Sequence, residues 1–442
     1  MRTRSRFAGL VAAALLPVTA AAILSTPSAR ADDPDRPPDA SVSDVPVRSA
    51  PPLVSIDTGR HERARGAVLS EAARQDLRTV AETQGVPYDE LAARSAGTDE
   101  FDLALHEAEV RYPRAVLESG VEPTGGYWVE AGADADLAAV AEVFGAVPAP
   151  VTVHRRVDAT DEEITRAQEL VFLALADAPV TTGVGVDYDA HRGVLEVDVA
   201  VPDVMLRAAA ETVAVQALRS VAGLAVDGRL PVPVELTTRV GVDDGTLKGK
   251  RGGRALRLAS NGTFVCTGGF VVRRGGDVGI VTARHCPNGL TYNSNPILTF
   301  VTGASTTATG GVIDLQFHRF DPGIDVDPSF RASGTTSADD RPVRTVANAP
   351  VGSSVCAWGA AGGYHCTSVA EVNVCRNGFG DGVNRCGLDR ASSEITVAGD
   401  SGGPWFFSNT ARGTLTGAIN GRDYFTRIGR VANNLDAEVL RP

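Results

Sequence analysis

The segment around Ser401 contains the residue types that a nucleophilic serine needs. It reads Ala398-Gly399-Asp400-Ser401-Gly402-Gly403-Pro404. A serine hydroxyl attacks a carbonyl carbon from an exposed, tight turn, and glycine lets the backbone take unusual dihedral angles and admits a substrate. The backbone N–H groups of Gly399 and Ser401 are the predicted donors to an oxyanion. This segment predicts acyl transfer through a covalent serine intermediate.

His285 is the candidate general base, in the segment Thr282-Ala283-Arg284-His285-Cys286. A base that takes the serine proton and returns it to a leaving group must be held rigidly. A disulfide at Cys286 would supply that rigidity. Cys266, on the preceding predicted strand, is the expected partner, and the bond would add about 3 kcal/mol of stability in the chain-entropy model.

Asp314 is the candidate acid, and it interrupts a strand predicted over residues 311–317. A buried carboxylate is costly unless it is paired. A hydrogen bond to the His285 imidazole would offset that cost and fix the tautomer. The predicted triad is therefore His285, Asp314 and Ser401, and its chemistry needs no metal and no cofactor.

The order His285, Asp314, Ser401 along the chain distinguishes this chain from other classes of hydrolase with a serine nucleophile. Ser401 also fits the G-x-S-x-G elbow of α/β-hydrolases, but those enzymes place the acid and the histidine after the serine. The last histidine here is His365. The subtilisin order needs an acid before the histidine. Asp277 is near His285, but the sequence setting of Asp314 fits the role better.

The motifs around His285 and Ser401 resemble those of the chymotrypsin-type double β-barrel peptidases, in the secreted bacterial branch with alpha-lytic protease and the streptogrisins. The resemblance covers residues 255–442. It implies two six-stranded barrels with the triad between them, and a pro-region that assists folding and inhibits until it is cleaved. The fold expected is thus an all-β double β-barrel, chymotrypsin-like, preceded by an α+β pro-region.

A C-terminal helix is also expected, since Ile428, Val431, Leu435 and Val439 recur at three- and four-residue spacing. Short strands precede it between Gly, Asn and Asp turns, which is typical of a barrel or sandwich. They are predicted over 263–266, 268–273, 279–282, 297–301, 311–317, 343–346, 395–397, 405–407 and 414–419.

The chain departs from the branch at the acid before the nucleophile. In that branch the Cys that opens the Cys356–Cys366 loop is followed by an Arg that pairs this acid. Ala357 and Trp358 stand there instead. The partner of Asp400 is therefore open. The candidates are Arg341, Arg344, Arg390 and an amine freed by cleavage of the chain.

All six cysteines follow residue 265, and an even number in an exported chain indicates disulfides. Zinc binding is the alternative, but there is no Cys-x-x-Cys pair. Six cysteines permit 15 connectivities. The pairs expected besides Cys266–Cys286 are Cys356–Cys366 and Cys375–Cys386.

The resemblance also implies where a substrate binds. Asn420-Gly421-Arg422 is expected to pair its backbone with an extended peptide. Ile395 and Thr396 are expected to form a wall of the specificity pocket. There is no acid in the segment 395–398, where a trypsin-like pocket carries Asp, so an apolar preference is favoured over a basic one.

The beginning of the chain has the composition of a secretory signal peptide. Arg2, Arg4 and Arg6 precede an apolar run, and small residues at Ser28-Ala29-Arg30-Ala31 predict cleavage after Ala31. A membrane anchor is the alternative, since the run is near the length of a spanning helix. No later segment has that length and apolarity.

Composition then divides the chain. The predicted parts are a signal peptide over 1–31, a flexible acidic and Pro-rich segment over 32–59, an α+β pro-region over 60–240, a linker and processing region over 241–254 and the peptidase domain over 255–442. In the pro-region, helices are predicted over 71–83, 134–144, 161–176 and 203–218, and strands over 126–130, 151–157, 184–188, 194–199 and 232–238.

Charge narrows the function. The formal net charge of −12 argues against nucleic-acid binding. Residues 241–442 carry 20 Lys and Arg against 17 Asp and Glu, a net of +3, which leaves −15 for residues 1–240.

We expect a secreted, extracellular serine endopeptidase made as a zymogen, a monomer outside the membrane whose partners are polypeptide substrates and its own pro-region. The alternative is a binding or regulatory protein on a protease scaffold, catalytically weak because Asp400 lacks its usual partner.

Overall fold

The computed structural model describes residues 45–442 except 60–68, 177, 179–180, 182, 191, 202–205, 225–226, 241–253, 293–296, 325 and 334–339. The predicted signal peptide and nearly all of the predicted processing region lie outside the described residues. Two parts are distinguished below: an N-terminal region, residues 45–240, and a C-terminal region, residues 254–442.

The N-terminal region mixes helices and strands. Its helices are α1 (Glu71–Gln84), α2 (Tyr88–Arg94), α3 (Thr98–Arg111), α4 (Leu137–Val143), α5 (Asp161–Ala176) and α6 (Arg207–Leu224). Its strands are β1 (Val54–Gly59), β2 (Val116–Val121), β3 (Tyr127–Ala131), β4 (Pro150–Arg155), β5 (Gly183–Asp189), β6 (Val194–Val201) and β7 (Val234–Val240). The first four strands form one sheet in the order β1-β4-β3-β2.

Strand β1 corrects the sequence prediction, which assigned residues 32–59 to a flexible segment. Val54–Gly59 pairs antiparallel with β4 over its whole length. Two features make this strand hard to predict from the sequence. Pro51 and Pro52 precede it, and the side chains of β1 are exposed or half-buried, so that the strand has no buried face. Helices α2 and α3 and strand β2 were also missing from the prediction.

Helix α1 begins and ends where local chemistry requires. Ser70 caps it by accepting a hydrogen bond from the backbone N–H of Ala73 at 3.1 Å, and Gly85 ends it in the left-handed conformation, with φ of 68°. Leu77 and Val80 on its apolar face are wholly buried. They belong to the same apolar cluster as Phe406 of the C-terminal region. This helix therefore completes a core that it shares with the C-terminal region.

The C-terminal region is built almost entirely of strands. They are β8 (Arg254–Leu258), β9 (Phe264–Gly268), β10 (Val271–Arg274), β11 (Asp277–Thr282), β12 (Leu290–Tyr292), β13 (Thr299–Gly303), β14 (Gln316–Arg319), β15 (Ser329–Arg331), β16 (Asp340–Pro342), β17 (Thr345–Val346), β18 (Ser354–Gly359), β19 (Gly363–Arg376), β20 (Arg385–Ala391), β21 (Pro404–Phe407), β22 (Thr410–Ile419), β23 (Arg422–Arg427) and β24 (Glu438–Val439). One short helix, α7 (Gly429–Leu435), precedes the last strand.

These strands form two all-β halves. In the second half the order β18-β21-β22-β23-β20-β19 closes on itself, because β18 also pairs with β19. Trp405 and Phe425 stack at 4.4 Å inside this barrel, and both are wholly buried. The first half contains the sheets β13-β14-β11-β10-β24 and β12-β8-β9. An all-β double barrel is consistent with this topology.

Three local predictions for the C-terminal region were wrong. Residues 395–397 form no strand, since β20 ends at Ala391 and β21 begins at Pro404. Residues 311–315 are not a strand, since β14 begins only at Gln316, and Asp314 lies in the loop before it. The last helix ends at Leu435, because Asp436 takes the left-handed conformation, with φ of 52°. Val439 lies on β24 and pairs with Val272. Its burial there explains why it fits a helical spacing without being in a helix.

One sheet crosses from the C-terminal to the N-terminal region. Strand β19 pairs antiparallel with β5, with Cys375 opposite Val186 and Arg376 opposite Gly185. The sheet then continues through β6 and β7. The backbone hydrogen bonds of β19 at this edge are therefore completed by the N-terminal region.

Two buried ion pairs also cross between the regions. Arg412 Nη2 lies 2.6 Å from both carboxylate oxygens of Asp102 on α3, and neither side chain is exposed at all. Arg341 Nη1 lies 2.9 Å from Asp76 on α1. Asp76 also accepts from the backbone N–H of Ser408 at 2.7 Å. The N-terminal region thus supplies the counter-charges for two arginines of the C-terminal region.

In the part of the chain that the structure describes, no helix has the length and apolarity needed to cross a membrane.

We predict that Asp102→Asn lowers the free energy of unfolding by about 3–5 kcal/mol, because it leaves the Arg412 guanidinium buried without a counter-charge. The measurement is urea denaturation of the full-length chain with Ser401→Ala, so that both regions stay covalently joined. Glu100→Gln is the control, since Glu100 is exposed on the same helix. Its effect should stay within about 0.5 kcal/mol. Equal effects of the two substitutions would contradict the assignment.

Candidate active site

His285 and Asp314 form a hydrogen-bonded pair. The Nδ1 atom of His285 lies 2.9 Å from Oδ2 of Asp314, and the backbone N–H of His285 donates to Oδ1 at 3.0 Å. Asp314 is 1% exposed. Because Nδ1 faces a carboxylate, it is the nitrogen that carries the proton, and Nε2 is left as the acceptor of the neutral ring. Among the described residues, Nε2 has no hydrogen-bond partner.

The electrostatics around Asp314 favour its charged form. Burial alone would raise its pKa. The nearby charges of His285 and Arg385 outweigh that effect and hold the pKa of Asp314 below its ordinary value. The carboxylate is therefore ionised wherever His285 is needed as a base.

The position of His285 follows from the strand before it and the disulfide after it. Strand β11 pairs with β14, which brings Thr282 opposite Gln316. The side chain of Gln316 donates to the backbone carbonyl of Cys286 at 2.9 Å. Cys286 is bonded to Cys266. The backbone on both sides of the imidazole is thus fixed, as the sequence predicts.

The Ser401 segment lies against the same disulfide. The backbone carbonyl of Ser401 accepts from the N–H of Thr267 at 2.8 Å and lies 3.9 Å from the Sγ of Cys286. Gly402 has a φ of 83°, and a Cβ atom there would come within 2.0 Å of the Thr282 hydroxyl. Only glycine permits this approach. The residue after His285 in the first half thus contacts the backbone of Ser401 in the second half.

The backbone around Ser401 leaves two donors available. Gly399 has a φ of 101°, and its carbonyl accepts from the Thr267 hydroxyl at 2.8 Å. In the segments that the structure describes, the N–H groups of Gly399 and Ser401 have no hydrogen-bond acceptor. Their being unoccupied is what the predicted oxyanion site requires.

Asp400 is bound by backbone amides, and no ion pair to it occurs among the residues that the structure describes. It accepts from the N–H groups of Ala361 at 2.5 Å, Gly362 at 3.0 Å and Val397 at 2.9 Å. Burial raises its pKa to about 6. A Cβ atom on Gly359 would lie 2.0 Å from this carboxylate, so the glycine-rich turn after β18 makes room for it. The glycines of that turn were the one indication in the sequence of where Asp400 binds, and the sequence analysis did not use them.

The arginines considered as partners of Asp400 have other roles. Arg341 pairs with Asp76, and Arg390 pairs with Glu371. No ion pair joins Arg344 to Asp400 among the residues that the structure describes. An amine freed within residues 241–253 would lie outside the described part of the chain.

The prediction that Asn420-Gly421-Arg422 forms an extended substrate strand was wrong. Asn420 and Gly421 have φ values of 52° and 72° and form the two-residue turn between β22 and β23. Asn-Gly is the strongest signal for such a hairpin turn, because both central residues need positive φ. Arg422 begins β23, and its guanidinium donates to the carbonyl of Ser392.

An open strand edge lies just before this turn. Strand β21 pairs with β22 only as far as Thr414, whereas β23 pairs with β22 as far as Ile419. Residues 416–419 therefore have one edge without a strand partner among the described residues. Such an edge can accept an added extended strand.

Ile395 and Thr396 are held from behind by a buried acid. Their backbone N–H groups donate to Oδ2 of Asp423 at 2.6 Å and 3.0 Å, and the Thr396 hydroxyl donates to Oδ1 at 2.6 Å. Asp423 is not exposed, and burial raises its pKa to about 7. The sequence analysis found no acid near this wall, because Asp423 is distant along the chain.

The structure contains the disulfides Cys266–Cys286, Cys356–Cys366 and Cys375–Cys386, which are the three expected.

His318 lies on β14 and has no part in the site. It is wholly buried, and neither ring nitrogen has a hydrogen-bond partner among the described residues. Burial lowers its pKa to about 4. It is neutral and part of the packing.

No protein-family model matches the chain. The chain is 30% identical over 196 residues to Streptogrisin-C of Streptomyces griseus. The match covers 40% of this chain and 38% of that protein, so the chain spans well under half the length of the curated relative that it matches.

Two solved structures are also similar. A chymotrypsin of Cellulomonas bogoriensis is 27% identical, with 43% of this chain and 98% of that chain covered and a TM-score of 0.36. An alpha-lytic protease homologue, N4, is 23% identical, with 44% of this chain and 100% of that chain covered and a TM-score of 0.35.

The chain is thus similar in sequence to chymotrypsin-type serine peptidases of the bacterial branch. His285, Asp314 and Ser401 follow one another along the chain in the order expected of that class.

We predict that Asp400→Asn lowers kcat/KM for a chromogenic peptide by on the order of 10²–10³-fold at pH 8. An amide offers one acceptor oxygen and turns its N–H₂ group toward backbone donors, so the loop before Ser401 would lose its shape. The control is Asp321→Asn, because Asp321 is exposed in the first half. Full activity of Asp400→Asn would show that the three amide bonds do not shape the site.

Proposed function

We propose that this chain is a secreted serine endopeptidase made as a zymogen, with His285, Asp314 and Ser401 as its catalytic triad. The observation that carries the proposal is the 2.9 Å hydrogen bond between a buried carboxylate and His285, whose Nε2 is left without a partner among the described residues next to the Ser401 segment. Burying the charged Asp314 carboxylate is costly, and such buried pairs are common where the two groups take part in catalysis.

The mechanism is acylation followed by hydrolysis. Ser401 Oγ bonds to the carbonyl carbon of the scissile peptide while Nε2 of His285 takes the hydroxyl proton. The tetrahedral oxyanion is held by the N–H groups of Gly399 and Ser401. The C–N bond then breaks, and His285 gives its proton to the leaving amine. Water repeats the sequence on the acyl-enzyme, and Asp314 stabilises the imidazolium in both halves.

The substrate is an extended polypeptide. The open edge of β22 at residues 416–419 supports this, because an added strand there would run beside the Ser401 segment: Gly402 and Gly403 exchange backbone hydrogen bonds with Leu415 at 2.8 and 2.9 Å. Behind the wall at Ile395 and Thr396, the carboxylate of Asp423 is already bound by three donors. A small or apolar residue before the scissile bond is therefore preferred to a basic one.

The N-terminal region is the pro-region of this zymogen and its partner in cis. The crossing sheet at β5 and β19 and the pairs Asp102–Arg412 and Asp76–Arg341 support this role. A C-terminal region that folded alone would lack the two carboxylates that neutralise Arg412 and Arg341 in the full chain. The basic segment 241–254 is the processing region, and the three disulfides suit an extracellular chain.

The alternative, a weakly catalytic protein on a protease scaffold, depended on an unpartnered Asp400. Three backbone N–H groups now occupy that carboxylate. Carboxylates are well stabilised by two or three such donors. This observation favours the active peptidase.

The test is intact mass and N-terminal sequence of the secreted chain, compared between wild type and Ser401→Ala. We expect wild type to begin within residues 241–254 and Ser401→Ala to keep its N-terminal region, because the cut is made by the chain's own triad. Ser260→Ala, at an exposed serine of the same region, should mature like wild type. Full-length protein in all three, without turnover of any peptide, would contradict the proposal.

A further inference from the structure

The hairpin of β19 and β20 carries a buried arginine to the Asp314 carboxylate. Arg385 is 2% exposed, and its Nε lies 3.6 Å from Oδ2 of Asp314. This is the same oxygen that faces His285 Nδ1. The Nε atom has no hydrogen-bond partner among the described residues. A fixed positive charge therefore stands beside the same carboxylate oxygen that faces the imidazole.

The backbone holds this arrangement in place. The N–H of Val312 donates to the carbonyl of Asn384, and the N–H of Cys386 donates to the carbonyl of Val312, both at 3.0 Å. Cys386 is bonded to Cys375 at the base of the hairpin. A Cβ atom on Gly311 would lie 2.8 Å from the Sγ of Cys386. The segments that carry Asp314 and Arg385 are thus joined on both sides of the ion pair.

A second carboxylate stands behind the arginine. Asp381 binds both terminal nitrogens of Arg385, at 2.9 Å and 2.5 Å, and its side chain is 39% exposed. Charges therefore alternate in a row: Asp381, Arg385, Asp314 and His285. Arg284, the residue before His285, carries a further charge, and its guanidinium donates to the carbonyl of Ala304 at 2.9 Å.

We propose that Arg385 is a positioning residue that fixes the Asp314 carboxylate and, through its charge, sets the pH range in which His285 acts as a base. This inference rests on the proposed function. A guanidinium stays charged at every working pH and opposes a second positive charge nearby. Its charge therefore opposes the positive charge of an imidazolium at His285. Asp381 weakens this effect by partly neutralising Arg385.

The row of charges predicts opposite effects of two substitutions. Arg385→Gln removes the opposing charge, so His285 should protonate at a higher pH, by on the order of one unit. Asp381→Asn leaves the positive charge of Arg385 balanced by Asp314 alone, so His285 should protonate at a lower pH. Arg385→Lys keeps a positive charge and should restore most of the wild-type behaviour. A general loosening of the fold would not shift the His285 titration midpoint in opposite directions in Arg385→Gln and Asp381→Asn.

The test is an NMR titration of the His285 imidazole in the full-length Ser401→Ala chain, with the resonance assigned by His285→Gln. Arg319→Gln is the control, since it also removes a positive charge from the first half, but at a partly exposed pair with Asp277. Its effect should stay below about 0.3 pH units, because exposed charges are screened. Midpoints that agree within that margin for Arg385→Gln, Asp381→Asn and the parent chain would overturn the proposal.

The readout needs no turnover, so the two proposals fail separately. A parent chain that titrates as described but whose wild type cleaves no peptide would contradict the proposed function alone. An active wild type with unchanged midpoints would contradict the role of Arg385 alone. If Arg385→Gln does not fold, the downward shift in Asp381→Asn still decides, because Asp381 is partly exposed and Arg385 keeps Asp314 as a partner of opposite charge.

Discussion

The buried negative charge of Asp314 is the constraint on which the rest of the site depends. A carboxylate that is 1% exposed is stable only if neighbours compensate it. His285 does so with both its backbone and its ring, and Arg385 lies near the oxygen that faces the ring. Each of these neighbours is in turn fixed by a disulfide at the next residue, Cys286 or Cys386. The charge, its partners and the two disulfides therefore form one rigid unit at the junction of the two halves.

The same principle operates where the N-terminal and C-terminal regions meet. Arg412 and Arg341 are buried in the C-terminal region, but the carboxylates that neutralise them come from helices α3 and α1. Strand β19 likewise completes its hydrogen bonds with β5. Because breaking a buried pair is much more costly than never forming it, these contacts make the C-terminal region depend on its neighbour for its charge balance. This dependence gives a physical reason for making the two regions as one chain.

The sequence predicted the parts of the site that local chemistry determines. The glycines around Ser401, the disulfide beside His285 and the helix predicted over residues 71–83 all depend on short segments of the sequence. What it missed depends on contacts between distant residues. Nothing near Asp400 indicates that the turn at Ala361 and Gly362 supplies its donors, and Arg385 is 71 residues from Asp314 along the chain. The prediction for Asn420-Gly421 failed for a different reason. An Asn-Gly pair is itself a local signal for a hairpin turn, and here it determines the structure against the expectation from the family resemblance.

The central claim is that Ser401 is a nucleophile activated by His285, and covalent labelling tests it most directly. Wild type and His285→Ala would be treated with a serine-reactive fluorophosphonate at pH 8, and the modified peptide would be located by mass spectrometry. The account predicts rapid modification of Ser401 in wild type and a rate lower by on the order of 10³-fold or more in His285→Ala. Failure to label Ser401 in a folded wild-type chain, or equal rates in both chains, would contradict it.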